Sequence, residues 1–134
     1  MNERLQKVID HPLHRFLGVT GIQSDAGRGE IVLTITENLV NPAGIFHGGV
    51  IYLLCDVCAY GGLLSLMEVD VDAVTHDLQV SVMRALKLGD VVEFTSEVVK
   101  FGTRICFIDV RVTSGGRLVA SARVTKSMLP VHRP

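Results

Sequence analysis

The sequence predicts an α+β fold in which a curved antiparallel β-sheet wraps around one long central helix. The chain has 134 residues, 48% of them apolar and 20% charged, which is typical of one globular domain with its own core. One long apolar stretch lies near the middle, and from Asp72 onward apolar and polar residues alternate. We therefore expect residues 1–134 to form a single domain with one helix packed against one sheet.

The N-terminal third is predicted to hold a short helix and two strands. Residues 2–17 are typical of an amphipathic helix that Pro12 ends, because proline cannot continue a helix. Residues 18–25 can form a first strand, and residues 38–46 are predicted to be an irregular loop. Between them lies a half-buried strand, whose core-facing residues are Ile31, Leu33 and Ile35.

A long apolar stretch occupies residues 50–67 and contains a single charged residue, Asp56. At about 1.5 Å per residue it could span a bilayer. However, the charge lies near its middle, where it is costly in lipid, and no Lys or Arg flanks the stretch. We therefore interpret it as a buried core helix that begins near His47 and Gly48.

After Asp72 the sequence alternates with period two, which is typical of β-strands. Turns are predicted at residues 88–90, 101–102 and 114–116, so the alternating run divides into four long strands. We expect successive strands to pair as antiparallel hairpins and to curve around the helix. The residues that share a face in each strand are Val74, His76, Leu78, Val80 and Val82; Val92, Phe94, Ser96 and Val98; Cys106, Ile108, Val110 and Val112; and Leu118, Ala120, Ala122 and Val124.

Charge and cysteine content exclude several classes of protein. Thirteen basic and fourteen acidic residues give a net charge of −1, whereas a nucleic-acid binder needs a basic field, so no nucleic-acid partner is expected. The charged N-terminal segment lacks the apolar core of a signal peptide, and three cysteines fit a reducing, cytoplasmic location. Cys55 and Cys58 lie inside the apolar helix, so core packing is favoured over a zinc or redox role.

The segment His47-Gly48-Gly49 lies where the loop enters the apolar helix. The first backbone N–H groups of a helix lack partners within it and lie at the positive end of its dipole. Glycine lets a substrate approach this backbone closely, so Gly48 and Gly49 could form an oxyanion hole for a carboxylate or a polarised carbonyl. The same glycines could instead serve only to pack the helix tightly on the sheet.

Asp56 lies eight residues after Gly48, a little over two helical turns further on. An ionised carboxylate on an apolar helix is costly unless it is paired or solvated. Asp56 should therefore face a polar cleft or be held by tyrosine hydroxyls, and Tyr60, one turn further on, is a candidate to line a substrate pocket. A desolvated carboxylate is suited to act as a general base or nucleophile. A buried, purely structural aspartate is the alternative.

The pattern Asn-x5-His-Gly-Gly-x6-Asp, formed by Asn41, His47, Gly48, Gly49 and Asp56, resembles that of hotdog-fold acyl-CoA thioesterases of the phenylacetate-pathway (PaaI) type. The resemblance extends over nearly the whole chain and includes the order of the elements. It implies a hotdog fold and hydrolysis of an acyl-CoA substrate to free acid and CoA. Such hydrolysis needs a polarising donor, an activated water and a positioned substrate, so no metal or cofactor is expected.

The resemblance also implies a role for each residue of the site. Asn41 would orient the attacking water or the substrate, His47 would support the loop, and the Gly48 amide would polarise the thioester carbonyl. Asp56 would activate the water or attack directly, and Thr75 would line the same pocket.

Other features leave alternatives open. His76 departs from the small or apolar residue expected beside Thr75, and we interpret it as a buried, hydrogen-bonded histidine. A hotdog protein that binds acyl-CoA or an aromatic ligand without turnover is one alternative function, although it would not need Asp56. A hydratase or dehydratase is another, with His47 or His76 in its pocket. We expect a homodimer or homotetramer with active sites at the dimer interface and no association with membranes.

Overall fold

The computed structural model describes residues 2–131, which form three α-helices, one short 3₁₀ helix and six β-strands. The helices are α1 (Glu3–Ile9), α2 (Pro12–Phe16) and α3 (Gly48–Leu63), with the 3₁₀ helix at Glu37–Leu39. The strands are β1 (Gln23–Asp25), β2 (Arg28–Thr34), β3 (Val71–Val82), β4 (Val91–Phe101), β5 (Ile105–Ser114) and β6 (Arg117–Pro130).

The six strands form one antiparallel sheet in the order β1-β2-β4-β5-β6-β3, and α3 packs across its concave face. The side of α3 that faces the sheet is apolar, and Leu54, Cys55, Cys58 and Leu63 are fully buried there. Within residues 2–131 no helix is long and apolar enough to cross a membrane. The predicted α+β architecture, with a curved sheet around a central helix, is confirmed.

The order of the strands differs from the predicted run of hairpins at one point. β4, β5 and β6 pair in sequence as expected, but β3 pairs with β6 at the edge of the sheet rather than with β4. Residues 83–90 connect β3 to β4, and the amides of Met83 and Arg84 donate to the Val119 carbonyl. The prediction was wrong because alternation reveals the faces of a strand but not its neighbour. The two edge strands differ in length, since β1 has three residues and β3 has twelve.

A β-bulge in β3 changes which residues face the helix. The register slips between Thr75 and Asp77, so His76 is an extra residue opposite β6. Val74 and His76 therefore lie on the outer face, against the prediction, and Val74 is 50% exposed. The residues of β3 that face inward are Ala73, Thr75, Leu78, Val80 and Val82.

The N-terminal region contains two short helices rather than one. Pro12 lies in the first turn of α2, where its missing N–H would have had no partner, so it begins a helix as well as following one. The first strand is also shorter than predicted, because only Gln23–Asp25 of residues 18–25 pair with β2. The expected core-facing residues of the next strand are buried: Ile31, Leu33 and Ile35.

The helix α3 approaches the sheet closely at Gly62. A Cβ atom at this position would lie 2.7 Å from the backbone nitrogen of Gly29 and 2.8 Å from Ser96 Oγ. The Ser96 hydroxyl donates to the Cys58 carbonyl at 3.0 Å and links the helix to the sheet at the same place. Gly62 is therefore required for packing.

Gly62→Ala is expected to lower the free energy of unfolding by about 1–3 kcal/mol, because the added methyl group would push the helix away from the sheet backbone. Chemical denaturation measures the change. Gly21→Ala is the matched control, since a Cβ atom there meets nothing within 4 Å. Equal stabilities for Gly62→Ala and the wild-type protein would show that the helix can shift without cost.

Candidate active site

The N-terminus of α3 is capped by His47 and leaves one amide without a partner. His47 Nδ1 accepts a hydrogen bond from the Gly49 amide at 3.0 Å, and the His47 amide donates to the Leu39 carbonyl at 2.8 Å. The Gly48 amide finds no acceptor within residues 2–131. Of the two glycine amides predicted as donors, Gly49 is therefore engaged by the cap, whereas Gly48 can donate to a bound oxygen.

Asn41 shapes the loop that leads into α3. Its Oδ1 atom accepts hydrogen bonds from the amides of Ala43 at 2.9 Å and Ile45 at 3.0 Å. Its backbone amide also donates to the Ile45 carbonyl at 2.7 Å. The side-chain oxygen is thus committed to the loop, which leaves the Nδ2 group to contact a water or a substrate.

Asp56 lies in the middle of α3 and faces β3 and β6. Its Oδ1 atom accepts two hydrogen bonds, from Thr75 Oγ1 at 2.6 Å and from Lys126 Nζ at 2.8 Å. No residue in the described range 2–131 donates to Oδ2, and 30% of the side-chain surface is exposed. One oxygen of the carboxylate is therefore fixed, and the other is open for chemistry.

The bulge at His76 brings Thr75 to Asp56. With uninterrupted alternation, Thr75 would lie on the outer face of the sheet and His76 on the inner face. Instead, His76 is exposed on the outside, where its Nδ1 atom lies 3.2 Å from Ser127 Oγ. The interpretation of His76 as a buried histidine is wrong, although its hydrogen bond is present.

Lys126 is the site residue that the sequence analysis does not single out. It is 3% exposed, although lysine is rarely buried unless it is paired. The signal in the sequence was its position, because Lys126 continues the core-facing alternation of Ala120, Ala122 and Val124 along β6. A lysine in that position needs a counter-ion, and Asp56 supplies it.

The Tyr60 hydroxyl is turned away from Asp56. It donates to Asp72 Oδ1 at 2.7 Å, and an Arg4 guanidinium nitrogen lies 3.9 Å from the same oxygen. Burial, and next the hydrogen bond to Asp72, raise the pKa of Tyr60 well above its usual value. Its ring lies beside Lys126, with Nζ 5.4 Å from the ring centroid. Tyr60 therefore does not hold Asp56 through its hydroxyl, and its ring packs against Lys126 instead.

The two helical cysteines belong to the core. Burial raises the pKa of the Cys55 and Cys58 thiols to about 12, so both are protonated and unreactive at neutral pH. The core-packing role predicted for the pair is confirmed. Across residues 2–131, no three His, Cys, Asp or Glu side chains come together in a way that could hold a metal ion.

One helix wrapped by a six-stranded antiparallel sheet places the protein in the class of hotdog-fold proteins. Residues 43–126 match the family model of the thioesterase superfamily, and the chain belongs to this family. The resemblance inferred from the motif between Asn41 and Asp56 is thereby confirmed.

Several known proteins are similar to this chain in sequence or in structure. Acyl-coenzyme A thioesterase 13 of Homo sapiens is 29% identical over 96% of this chain and 96% of its own length. A candidate esterase of Pseudomonas aeruginosa is 36% identical over 83% of this chain and 84% of its own. A hypothetical thioesterase of Streptococcus pneumoniae, solved with coenzyme A, has a TM-score of 0.76 and 28% identity over 84% of this chain and 87% of its own. The PaaI protein of E. coli shares the fold, with a TM-score of 0.81 and 21% identity over 92% of this chain and 89% of its own.

Proposed function

We propose that the protein is an acyl-CoA thioesterase, which hydrolyses the thioester bond to give a free acid and CoA. The observation that carries the proposal is the Asp56 carboxylate, which is held at Oδ1 and open at Oδ2. The Gly48 amide supplies a donor for the thioester oxygen. Membership of the thioesterase superfamily, the name of the human relative and the coenzyme A in the streptococcal structure support the same substrate class.

The proposed reaction uses the free amide and the open oxygen together. The Gly48 N–H donates to the thioester carbonyl oxygen, and Asp56 Oδ2 takes a proton from a water as that water attacks the carbonyl carbon. The C–S bond then breaks, the proton passes to the CoA thiolate, and the acid leaves. In the alternative route Oδ2 itself attacks the carbon, the C–S bond breaks and CoA leaves as the thiolate. Water then hydrolyses the resulting anhydride to the free acid and the Asp56 carboxylate, and the remaining proton passes to the thiolate. Asn41 Nδ2 orients the water or the substrate in either route.

Gly48 and Asp56 of one chain are too far apart to act on the same carbonyl. They are eight positions apart on the continuous helix α3, which is about 12 Å along the axis. Both groups must approach the reacting atoms to about 3 Å. We therefore place the site between two copies of the chain. When two α3 helices run antiparallel across a twofold axis, Gly48 of one copy lies beside Asp56 of the other.

The free edge of β3 supplies the contact for this homodimer. The edge of β3 that points away from β6 has no strand partner within residues 2–131. The exposed apolar residues in this strand or next to its end are Val74, Val82 and Met83. A long unpaired edge is a template for pairing with another strand. Thr75, which holds Asp56, belongs to the same strand, so pairing through β3 brings both sites to the interface. The homotetramer expected from the sequence would consist of two such dimers.

Release of free thiol from acyl-CoA esters tests the proposed activity directly. A panel of acetyl, medium-chain, long-chain and aryl esters, followed with a thiol-reactive dye, is expected to give turnover with at least one of them. Binding of the same esters without thiol release would instead identify a ligand-binding protein. A hydratase would alter the acyl group and keep the thioester, but the outward position of His76 disfavours this reaction.

Mixing of two inactive variants tests whether the site is shared. When Gly48→Val and Asp56→Asn chains are unfolded together and refolded, about half of the dimers are hybrids, and each hybrid has one intact site of two. We expect recovery of about one quarter of wild-type activity from the twofold symmetry. No recovery above the parent variants, with hybrids confirmed by mass, would place the whole site in one chain.

A reciprocal mixture provides the matched control. Wild-type chains are refolded with chains that carry both Gly48→Val and Asp56→Asn. In a shared site every hybrid then has two damaged sites, so about one quarter of the activity remains, whereas a site within one chain would retain about one half. The two mixtures together fix the arrangement independently of the absolute rates.

A further inference from the structure

Lys126 is a charged residue in the interior of the domain with Asp56 as its counter-ion. The Tyr60 ring lies on one side of the ammonium group, and the preceding inward positions of β6 are apolar. A buried ammonium group is costly unless it is both paired and hydrogen-bonded. An apolar side chain of similar size would stabilise the fold equally well, so stability alone does not explain why this position holds a lysine.

Lys126, Thr75 and Asp56 form a closed triangle of hydrogen bonds. Lys126 Nζ donates to Asp56 Oδ1 and to Thr75 Oγ1, both at 2.8 Å, and Thr75 Oγ1 lies 2.6 Å from the same Oδ1. The ammonium group has no lone pair and can only donate, so the Thr75 hydroxyl must accept from it and direct its own proton to Asp56. Lys126 thus fixes Oδ1 directly and also through Thr75.

We propose that Lys126 is a positioning residue, which locks Asp56 so that Oδ2 is the oxygen that acts on the water or the thioester carbon. This assignment deepens the proposed thioesterase function and rests on it. Rotation of the carboxylate would break the charge-assisted bond from Lys126 and the short bond from Thr75, so the orientation of the carboxylate is fixed. Lys126 itself is 3% exposed, and it therefore acts through Asp56 and makes no contact with the substrate.

A double-mutant cycle tests this assignment. Lys126→Met keeps the apolar stem of the side chain and removes both hydrogen bonds. In the wild-type background we expect kcat to fall by about 10- to 100-fold with little change in KM, because a misplaced catalytic group reacts slowly. In the Asp56→Asn background the same substitution should change kcat by less than about twofold, since the group on which Lys126 acts is already lost.

Other roles for Lys126 predict a different pattern. A loss of similar size in both backgrounds would overturn the assignment, because it would mean that Lys126 supports the fold or touches the substrate. Ile31→Val is the stability control, since Ile31 is buried in β2 and takes part in none of the hydrogen bonds that hold Asp56. It is expected to lower the midpoint of chemical denaturation, while its kcat should remain within about twofold of wild type because the side chains that hold Asp56 are unchanged.

A second variant covers the case in which Lys126→Met does not fold. Lys126→Arg keeps the positive charge, but its planar guanidinium group is larger than the ammonium group and would displace Thr75 and Asp56 in this buried space. We again expect kcat to fall in the wild-type background and to change little in the Asp56→Asn background, with a smaller fall than for Lys126→Met. Full activity of a folded Lys126 variant would overturn the assignment and leave the proposed function intact. Absence of thiol release by the wild-type protein would overturn the proposed function itself.

Discussion

Replacement of Asp56 by asparagine is expected to lower kcat by about 10²–10⁴-fold, the range typical of the loss of a general base. Asparagine has the same size and keeps one acceptor oxygen for Thr75 and Lys126. However, an amide can neither take a proton from water nor attack a thioester carbon. Steady-state thiol release by the folded variant measures the loss. A kcat within a few-fold of wild type would remove Asp56 from the mechanism.

The stability of this variant has to be measured as well, because Asp56 is the counter-ion of Lys126. Loss of the carboxylate charge leaves a buried ammonium group opposite a neutral amide, which lowers the free energy of unfolding. Asp56→Asn/Lys126→Met removes both charges and is the matched control. It is expected to regain stability without regaining kcat. If kcat returned together with stability, Asp56 would be a structural residue.

Gly48→Val is expected to lower kcat by on the order of 10²-fold or more, the loss typical of one oxyanion donor. The side chain would occupy the space through which the thioester oxygen approaches the Gly48 amide. The fold should tolerate it, because the nearest atom to an added Cβ is the Tyr52 hydroxyl at 3.3 Å, at the end of an exposed and flexible side chain.

A graded pair of substitutions checks this explanation. Gly48→Ala adds a smaller group and should lose less activity than Gly48→Val, while both proteins keep their thermal stability and assembly. Thiol release and size measurement on the two variants provide the comparison. Normal turnover by folded Gly48→Val would show that the carbonyl binds elsewhere.

The central helix and its N-terminus were predictable because the sequence features that mark them are local. A single charge in an apolar run favoured a core helix around Asp56, and a histidine followed by two glycines marked the start of that helix. The structure begins α3 at Gly48 with His47 as its cap. Most of the inward faces of β4, β5 and β6 were also predictable from alternation, but the pairing slips at Val99 in β4 and at Val119 in β6, and Val119 is buried where Leu118 was expected.

The remaining features depend on contacts between distant parts of the chain. The bulge at His76 is invisible in the sequence, because residues 74–82 are compatible with uninterrupted alternation, and only pairing with β6 reveals the extra residue. The edge position of β3 likewise depends on the path of residues 83–90. Lys126 was not predicted to be the partner of Asp56, because a lysine in a strand is normally solvated, and its burial makes sense only beside Asp56.

The unequal edges of the sheet determine how far association can proceed. β1 offers three residues for backbone pairing and β3 offers twelve. In the proposed dimer the two β3 edges satisfy each other, and each end of the joined sheet is then a β1 strand too short to seat a third copy firmly. In that arrangement growth by strand addition would terminate at two chains and would not propagate into a fibril. In such a dimer the long, partly apolar edge of β3 would be protected from aggregation, because each copy would cover the edge of the other.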